Sequence, residues 1–309
     1  MYIGTDFLIE GGSKLFLSEI NTGVPAGATE FDLVYRQKYG KPSGVFGSIE
    51  GLAKKIHGKS FKQYIQDLPY IDDLSRLKIW MDGKGAIPKN PHKALILEDK
   101  WIQYKLFSED YPMIPSQIFN VEDTGKYENL FLDGGRVVLK RRYGRGGKGF
   151  LEIDSPAQLR SVRLEKDLYL IQPYVKSRID SYSFSLRAAA FEGQFICTFA
   201  SLSSRCTSNH GIRFFVEPRD GLYLTNSRFK VSEVIQKAWE ADIFFKGNVP
   251  DYLYHDVYVE KIADASLVIP ERLFNDIKRI SASLSGHLDA LDLDKLPRSC
   301  LESNPVLAD

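Results

Sequence analysis

The chain has 309 residues, 43% hydrophobic and 26% charged, with 24 Gly and 14 Pro, a composition that excludes collagen-like, coiled-coil and wholly disordered readings. Lys and Arg number 41 against 40 Asp and Glu, so a net charge of +1 gives no bulk attraction to nucleic acid or to an anionic membrane, and any anion binding must be local. At about 100–200 residues per domain the length corresponds to one to three packing units.

The first predicted element is a hairpin: YIGTDFLI and KLFLSEI are apolar runs joined by a turn with consecutive glycines. NTGVPAG then breaks the pattern. From about Phe31 to Gln66, helix-like pieces (ATEFDLVYRQKYG, SIEGLAKKIHG, SFKQYIQDL) alternate with Gly, Pro and Ser, and SRLKIWMDG reads as a short strand and turn. After IPKNP, the spacing of Leu95, Leu97, Trp101, Ile102, Leu106 and Phe107 predicts a helix over HKALILEDKWIQYKLFSED, stopped by Pro112 and Pro115. From about Gly134 short strands follow: RVVLK, the loop RRYGRGGK, GFLEI, then a short helix-like SPAQLRSVRL and the strand DLYLIQPYV. SYSFSLRAAAF and QFICTFASLSS form a second hairpin about a Glu192-Gly193 turn. Two helices close the pattern, VSEVIQKAWEADIFF and PERLFNDIKRISASLSGHLDAL, the second with Pro270 expected near its first turn.

Cys197, Cys206 and Cys300 are too few and too irregular for a disulfide framework or a zinc quartet, and a reducing compartment is the expectation. No stretch approaches the ~20 apolar residues that span a bilayer, and MYIGTDFLIEGG lacks the features of a leader, so the reading is a soluble, cytoplasmic protein. The five histidines are scattered without metal-ligand spacing, and Cys197 reads as a core strand residue.

The most informative stretch is VVLKRRYGRGGKGF, Val137 to Phe150. Gly144, Gly146 and Gly149 satisfy G-x-G-x-x-G, but a dinucleotide fingerprint must open a helix, and GFLEID reads as another strand. A Walker A loop is excluded by Arg142 in its first glycine position and by the absence of Ser or Thr after Lys148; the kinase motifs H-R-D-x-x-x-x-N and D-F-G are missing. A glycine loop between two strands, with Lys140 ending the first, suggests a flap over nucleotide phosphates. The glycines let the backbone approach the anion, and Lys140, Arg142, Arg145 and Lys148 supply charge.

The order of these motifs resembles the ATP-grasp superfamily, whose members activate a carboxylate as an acyl phosphate and pass it to an amine, thiol or similar nucleophile. The resemblance runs from about Ala94 to Val216. It implies that Lys100, or Lys105 as second choice, is the first nucleotide-contacting lysine, and that Lys140, Arg142, Gly144, Gly146, Gly147, Lys148 and Gly149 surround the phosphates. LYLIQPYV is similar to the strand and hinge that read adenine, which implies Gln172, Tyr174 and Val175 at the base and ribose. Gln172 departs from the acidic residue common there. Arg187 in SFSLRAAAF matches the basic residue that reaches the phosphates or the acyl-phosphate oxygens, and TSNHGIRFFVEP implies Asn209 and Arg213 near the substrate.

The family closes its site with E-x-N, whose carboxylate and amide oxygens hold Mg²⁺ against the phosphates. The sequence offers the motif twice: Glu19 and Asn21, and Glu302 and Asn304. The second has the usual C-terminal place; the first carries its full hairpin with Asp6 on the opposite strand. That hairpin is similar to the one in eukaryotic glutathione synthetase and in circularly permuted ATP-grasp proteins, and the first copy is preferred. YGRGGKG lacks the acidic metal ligand that glutathione synthetase carries in its loop, so a further carboxylate is expected elsewhere, with Asp6 and Asp256 as candidates.

The resemblance therefore implies an α+β ATP-grasp fold, circularly permuted, in three parts: residues 1–90 (metal-motif hairpin and acceptor-side helices), 91–178 (ATP-binding subdomain) and 179–309 (core sheet and C-terminal helices). The implied activity is an ADP-forming carboxylate-amine ligase using ATP and Mg²⁺, with Lys140, Arg187 and Arg213 catalytic. The expected partners are a small-molecule or peptide carboxylate and an amine acceptor, with no nucleic acid or membrane and with a homodimer left open. The alternatives are a nucleotide-binding regulatory protein without chemistry and a phosphotransferase acting on a non-carboxylate acceptor.

Overall fold

Two antiparallel sheets organise the protein in a computed structural model that describes residues 1–22, 41–67, 98–143, 149–164, 168–179, 182–203, 212–217, 221–222 and 270–291. The larger sheet has the order β11-β10-β9-β8-β1-β2, with β7 also pairing with β8. Its strands are β1 (Tyr2–Glu10), β2 (Lys14–Thr22), β7 (Arg178–Ile179), β8 (Tyr182–Phe191), β9 (Gln194–Ser203), β10 (Ile212–Glu217) and β11 (Gly221–Leu222). The smaller sheet has the order β3-β6-β4-β5, from Gln117–Ile118, Tyr169–Pro173, Val137–Arg141 and Leu151–Ile153 respectively.

Both predicted hairpins form. Glu192 and Gly193 take φ of 49° and 71°, the left-handed pair that a two-residue turn between twisted strands requires, and in the three-residue turn between Glu10 and Lys14 Gly11 and Gly12 take 58° and 73°. Period-two alternation then sorts the side chains of β1. Ile3, Phe7 and Ile9 pack with Leu17, Ile20, Leu186, Ala188 and Ala190 against helix α5 (Glu271–Ala290), which contributes Leu273, Ile277, Ile280, Leu284 and Leu288. Tyr2, on the other face, packs with Ala189 and Phe191 against helices α1 (Val45–His57) and α2 (Phe61–Gln66). Ser60 starts α2 through a capping box with Gln63. Cys197 is a half-buried strand residue beside this second cluster, and burial pushes its thiol up to about 12.

The smaller sheet buries Val137, Leu139, Ile153, Tyr169 and Ile171 against Phe119, Tyr127 and Leu159, the last from helix α4 (Pro156–Ser161). A 3-10 stretch over Val121–Gly134, broken by non-helical residues, covers this face and was not foreseen from sequence. Its anchor is the Tyr127 hydroxyl, which donates to the Ile118 carbonyl at 2.7 Å and accepts from the Asn120 N–H at 2.8 Å. Val138, Lys140, Glu152, Leu170 and Gln172 alternate with these core residues and occupy the opposite face.

One expectation about the elements needs correction. The helix expected from His92 is, within the described residues, α3 (Lys100–Phe107): Asp99 is extended and its carboxylate accepts from the Trp101 N–H at 2.8 Å, so the helix begins after it. Pro270 is the N-cap of α5, next to its first helical residue, as the sequence leads one to expect. ATEFDLVYRQKYG, SRLKIWMDG and VSEVIQKAWEADIFF lie wholly outside the described residues, so the fold neither corrects nor supports those expectations.

Candidate functional site

The face of the larger sheet that carries α1 and α2 near Tyr2 changes character further along β1. Gly4 and Asp6 follow Tyr2 at two-residue steps; Arg187 lies opposite Asp6 on β8, while Asn21 and Glu19 lie opposite Gly4 and Asp6 on β2. A β-bulge makes this arrangement possible. The register passes from Asp6↔Glu19 to Phe7↔Leu17 and leaves Ser18 out. Leu17 can therefore face the α5 core while Glu19 and Asn21 face the opposite side.

Arg187 grips Asp6 in a two-point ion pair, Nε to Oδ1 at 2.6 Å and Nη2 to Oδ2 at 2.5 Å. Burial acts to lower the guanidinium pKa, but the Asp6 charge and hydrogen bonds outweigh it, so Arg187 stays charged. Asn21 Nδ2 donates to Asp6 Oδ2 at 3.3 Å and to the Gly4 carbonyl at 3.5 Å, which leaves its Oδ1 as the outward acceptor. Gly4 lies beneath the Arg187 side chain: a Cβ there would stand 3.4 Å from Arg187 Cδ, close to the limit of van der Waals contact.

Two lysines reach this patch from outside the sheet. Lys100, first residue of α3, places Nζ 3.4 Å from Glu19 Oε1. Lys140, on the polar face of β4, donates from Nζ to Ser18 Oγ at 3.1 Å and lies over the Phe150 ring, 5.9 Å from its centroid. The five sequence candidates Lys100, Lys140, Arg187, Glu19 and Asn21 thus meet at one place, together with Asp6. Lys105 instead lies over Trp101 on the last turn of α3, so Lys100 is the lysine that enters the cluster.

Three cations face two carboxylates here, and burial weighs most on Lys140. Burial, together with the Lys100 charge, lowers Lys140 to about 8 against the opposing pull of Glu19 and Asp6. Charging Lys140 in the fold therefore carries a cost that is fully present below about pH 8 and relieved as pH rises toward its ordinary value of 10.5. An anionic ligand would supply the missing counter-charge and raise that value again. Affinity for a phosphate-bearing ligand is accordingly expected to be level from pH 7 to about 8 and then to fall by up to about tenfold per pH unit, with proton uptake on binding. Calorimetry across pH 7–9.5 checks this, and Lys140→Arg, whose charge does not titrate there, is expected to bind more weakly but with a flat profile.

The rest of the polar face of β4 and β6 leads away from Lys140. Gln172 stands opposite Val138, and its orientation follows from its neighbours. The Ser116 hydroxyl donates to the Ile114 carbonyl at 2.9 Å, so it must accept from Gln172 Nε2, 2.7 Å away. Gln172 Oε1 is then turned away from Ser116, buried and, among the described residues, without a hydrogen-bond partner. An unmet buried acceptor is suited to a ligand N–H. Beyond it, the Tyr174 N–H donates to the Arg136 carbonyl at 2.9 Å, Val175 is buried, and Ser177 Oγ accepts from the Ile9 N–H at 3.2 Å, tying the hinge to β1.

Arg142 corrects the sequence reading. It does not join Lys100, Lys140 and Arg187: it is wholly buried, its guanidinium bound to both oxygens of Asp99, Nε to Oδ1 at 3.1 Å and Nη2 to Oδ2. Gly149 has φ of 69°, and a Cβ there would fall 2.5 Å from Arg141 Cδ, so glycine is required where the loop returns to β5. Gly144, Arg145, Gly146, Gly147, Lys148, Asn209, Asp256, Glu302 and Asn304 lie outside the described residues. Arg213 is described by its backbone: it pairs with Ser201 of β9, which pairs with Ser185 of β8, two residues from Arg187.

Sequence reasoning missed Ser18 and Asp99. The first had a signal, since the apolar positions Leu15, Leu17 and Ile20 change parity between 17 and 20, as a bulge requires. The second was the only capping side chain immediately ahead of KWIQYKLF.

For a divalent cation the cluster offers hard oxygen donors, the Glu19 carboxylate and Asn21 Oδ1, of the kind Mg²⁺ takes. Among the described residues no group of three His, Cys, Asp or Glu side chains stands ready to hold a metal, so oxygens from a ligand would have to complete the shell. No helix among the described residues is long and apolar enough to cross a membrane.

Protein-family models give no match to this sequence, and curated proteins give none. Among solved structures the chain is similar to a protein from Methylobacillus flagellatus KT provisionally assigned as a gamma-glutamylcysteine synthetase, with 8% identity, 94% of this chain and 89% of that chain covered, and a TM-score of 0.43. A likeness at that level carries no argument about fold or chemistry.

Proposed function

We propose that this protein is an ATP- and Mg²⁺-dependent carboxylate-amine ligase of the ATP-grasp kind, circularly permuted, which releases ADP and works through an acyl phosphate. The observation that carries this reading is the meeting of Lys100, Lys140 and Arg187 with Glu19, Asn21 and Asp6. Residues far apart in sequence, singled out for phosphate and metal chemistry, come together with a surplus of positive charge.

In this reading Lys100 and Lys140 neutralise the nucleotide phosphates, and Arg187, kept charged and oriented by Asp6, meets the oxygens of the transferred group. Glu19 and Asn21 hold Mg²⁺, which when bound adds charge neutralisation at the phosphate oxygens. Gln172 Oε1 accepts from the adenine amine, with Tyr174 and Val175 at the hinge beside it. The Gly144 to Gly149 loop covers the phosphates and keeps water from the acyl phosphate, Lys148 adding charge, and Arg213 serves the substrate side. Glu302 and Asn304 remain the second candidate pair for the metal.

The test is ADP release by the purified protein with Mg²⁺ and ATP, in the presence and absence of a mixture of amino acids and short peptides. Acceptor-stimulated ADP release with free phosphate is the expected result. Phosphate retained on an acceptor would instead establish a phosphotransferase, and a thermal shift with Mg²⁺ATP but no turnover with any acceptor would establish a nucleotide-binding protein without chemistry. One observation favours that last reading: among the described residues no third carboxylate joins Asp6 and Glu19, and both of these already face cations.

A further inference from the structure

Among the described residues the metal-motif strand β2 is an edge of its sheet, and its outward peptide groups must find partners elsewhere. At the middle of the motif, between Glu19 and Asn21, the partner is one side chain. Gln103 of α3 donates from Nε2 to the Ile20 carbonyl at 2.6 Å and accepts at Oε1 from the Ile20 N–H at 3.1 Å. It does for Ile20 what a neighbouring strand would do. Both residues are 2% exposed, so water does not offer a substitute.

The helix that carries Gln103 also carries Lys100, three residues earlier and therefore on the same side of the helix. The Gln103 amide thus sets the height and register of the Glu19-Ile20-Asn21 segment against Lys100. An amide is suited to this in a way other side chains are not. It presents one donor and one acceptor in a plane, matching a peptide unit, whereas a carboxylate presents acceptors alone, and Asn is shorter by a methylene.

We infer that Gln103 is a positioning residue for the proposed metal pair, holding Glu19 and Asn21 in register with the nucleotide-facing Lys100 through its two-point bond to Ile20. The inference rests on the ligase reading above for the roles of Glu19, Asn21 and Lys100, and on the Gln103–Ile20 geometry for its own content.

Mn²⁺ binding, followed by electron paramagnetic resonance in the presence of a non-hydrolysable ATP analogue, tests it on the full-length protein. Gln103→Glu at pH 8 sets a carboxylate against the Ile20 carbonyl and is expected to weaken Mn²⁺ binding by about 10–100-fold, the range typical of lost outer-shell support. Burial beside the Ile20 carbonyl raises that glutamate above its ordinary value of about 4.3, so lowering the pH toward 6 protonates a growing share of it, restores a donor, and is expected to recover part of the Mn²⁺ binding relative to wild type at the same pH. Binding of the analogue without metal is expected to change less than about threefold, because Lys140 approaches from β4 and Lys100, at the start of α3, keeps its own backbone anchor to Arg142 when the Ile20 segment shifts. Gln103→Asn, uncharged and shorter, serves if the glutamate variant does not fold, with a loss that lowering the pH does not repair. Mn²⁺ affinity equal to wild type in a folded variant overturns the positioning role alone. A wild-type protein that binds neither the analogue nor Mn²⁺ overturns the ligase reading, and the role with it.

Discussion

Replacing Arg142 by methionine is expected to destabilise the fold by about 3–5 kcal/mol, the cost of leaving one member of a buried ion pair uncompensated. Arg142 and Asp99 are both wholly buried, and their side chains are bonded at two points. The pair also joins two parts of the structure. Asp99 caps α3 by accepting from the Trp101 N–H at 2.8 Å, the Lys100 N–H donates to the Arg142 carbonyl at 3.3 Å, and the Arg142 N–H donates to the Leu168 carbonyl at 2.8 Å. The end of β4 and the start of α3 are thus fastened through side chain and backbone together. Chemical denaturation of the single variants and of a double variant, Asp99→Asn with Arg142→Met, gives the coupling. The double variant is expected to recover a substantial part of the loss, because no ionised carboxylate is left buried while asparagine still caps the helix. A single-variant loss below about 1 kcal/mol would show that the pair is no more than a surface-like contact.

On the ligase reading proposed above, Lys140→Ala is expected to lower acceptor-dependent ADP release by at least about 10²–10³-fold, the effect of removing one preorganised group facing developing charge. Stability should move the other way or not at all. Burial lowers Lys140 to about 8, so below that pH the fold carries the cost of a charged lysine, and alanine removes it. A variant that melts no lower than wild type and has lost turnover separates a ligand-facing lysine from a structural one. Lys140→Arg keeps the charge without the compact ammonium head and should recover nucleotide binding better than turnover. Undiminished ADP release from Lys140→Ala would remove Lys140 from the site.

The cluster at Asp6 was legible in sequence to the extent that its members sit in strands with clear periodicity. Glu19 and Asn21 share a face, Lys140 ends an apolar strand, and Arg187 interrupts one, and each keeps that position in the structure. Arg142 was not legible because nothing local distinguishes it from Lys140 or Arg145. What decides its fate is Asp99, 43 residues earlier, and the burial of both. The bend of the chain that hides Arg142 begins where β4 ends, beyond the reach of strand alternation. The same holds for Gln103. A glutamine in the first turn of an amphipathic helix reads as solvent-facing until the edge of β2 is laid beside it. The hairpins, by contrast, follow from turn residues alone, since the glycines at 11, 12 and 193 take left-handed φ that the neighbouring strands demand.

The place of β1 in the larger sheet also governs how the protein is made. Asp6 pairs with Arg187 across 181 residues, and Ile3, Phe7 and Ile9 find their cover in β8 and α5. The smaller sheet draws all its strands from residues 117–173 and can assemble while β8 is still to come. At about 5–20 residues per second, the hairpin bearing Glu19 and Asn21 waits about 10–35 s on the ribosome for β8, and longer for the α5 cover of its apolar face. That interval is long enough for chaperones to engage it. The strand that brings Glu19 and Asn21 to the site is therefore made early and docked late, and a nascent chain stalled before β8 would present it uncovered.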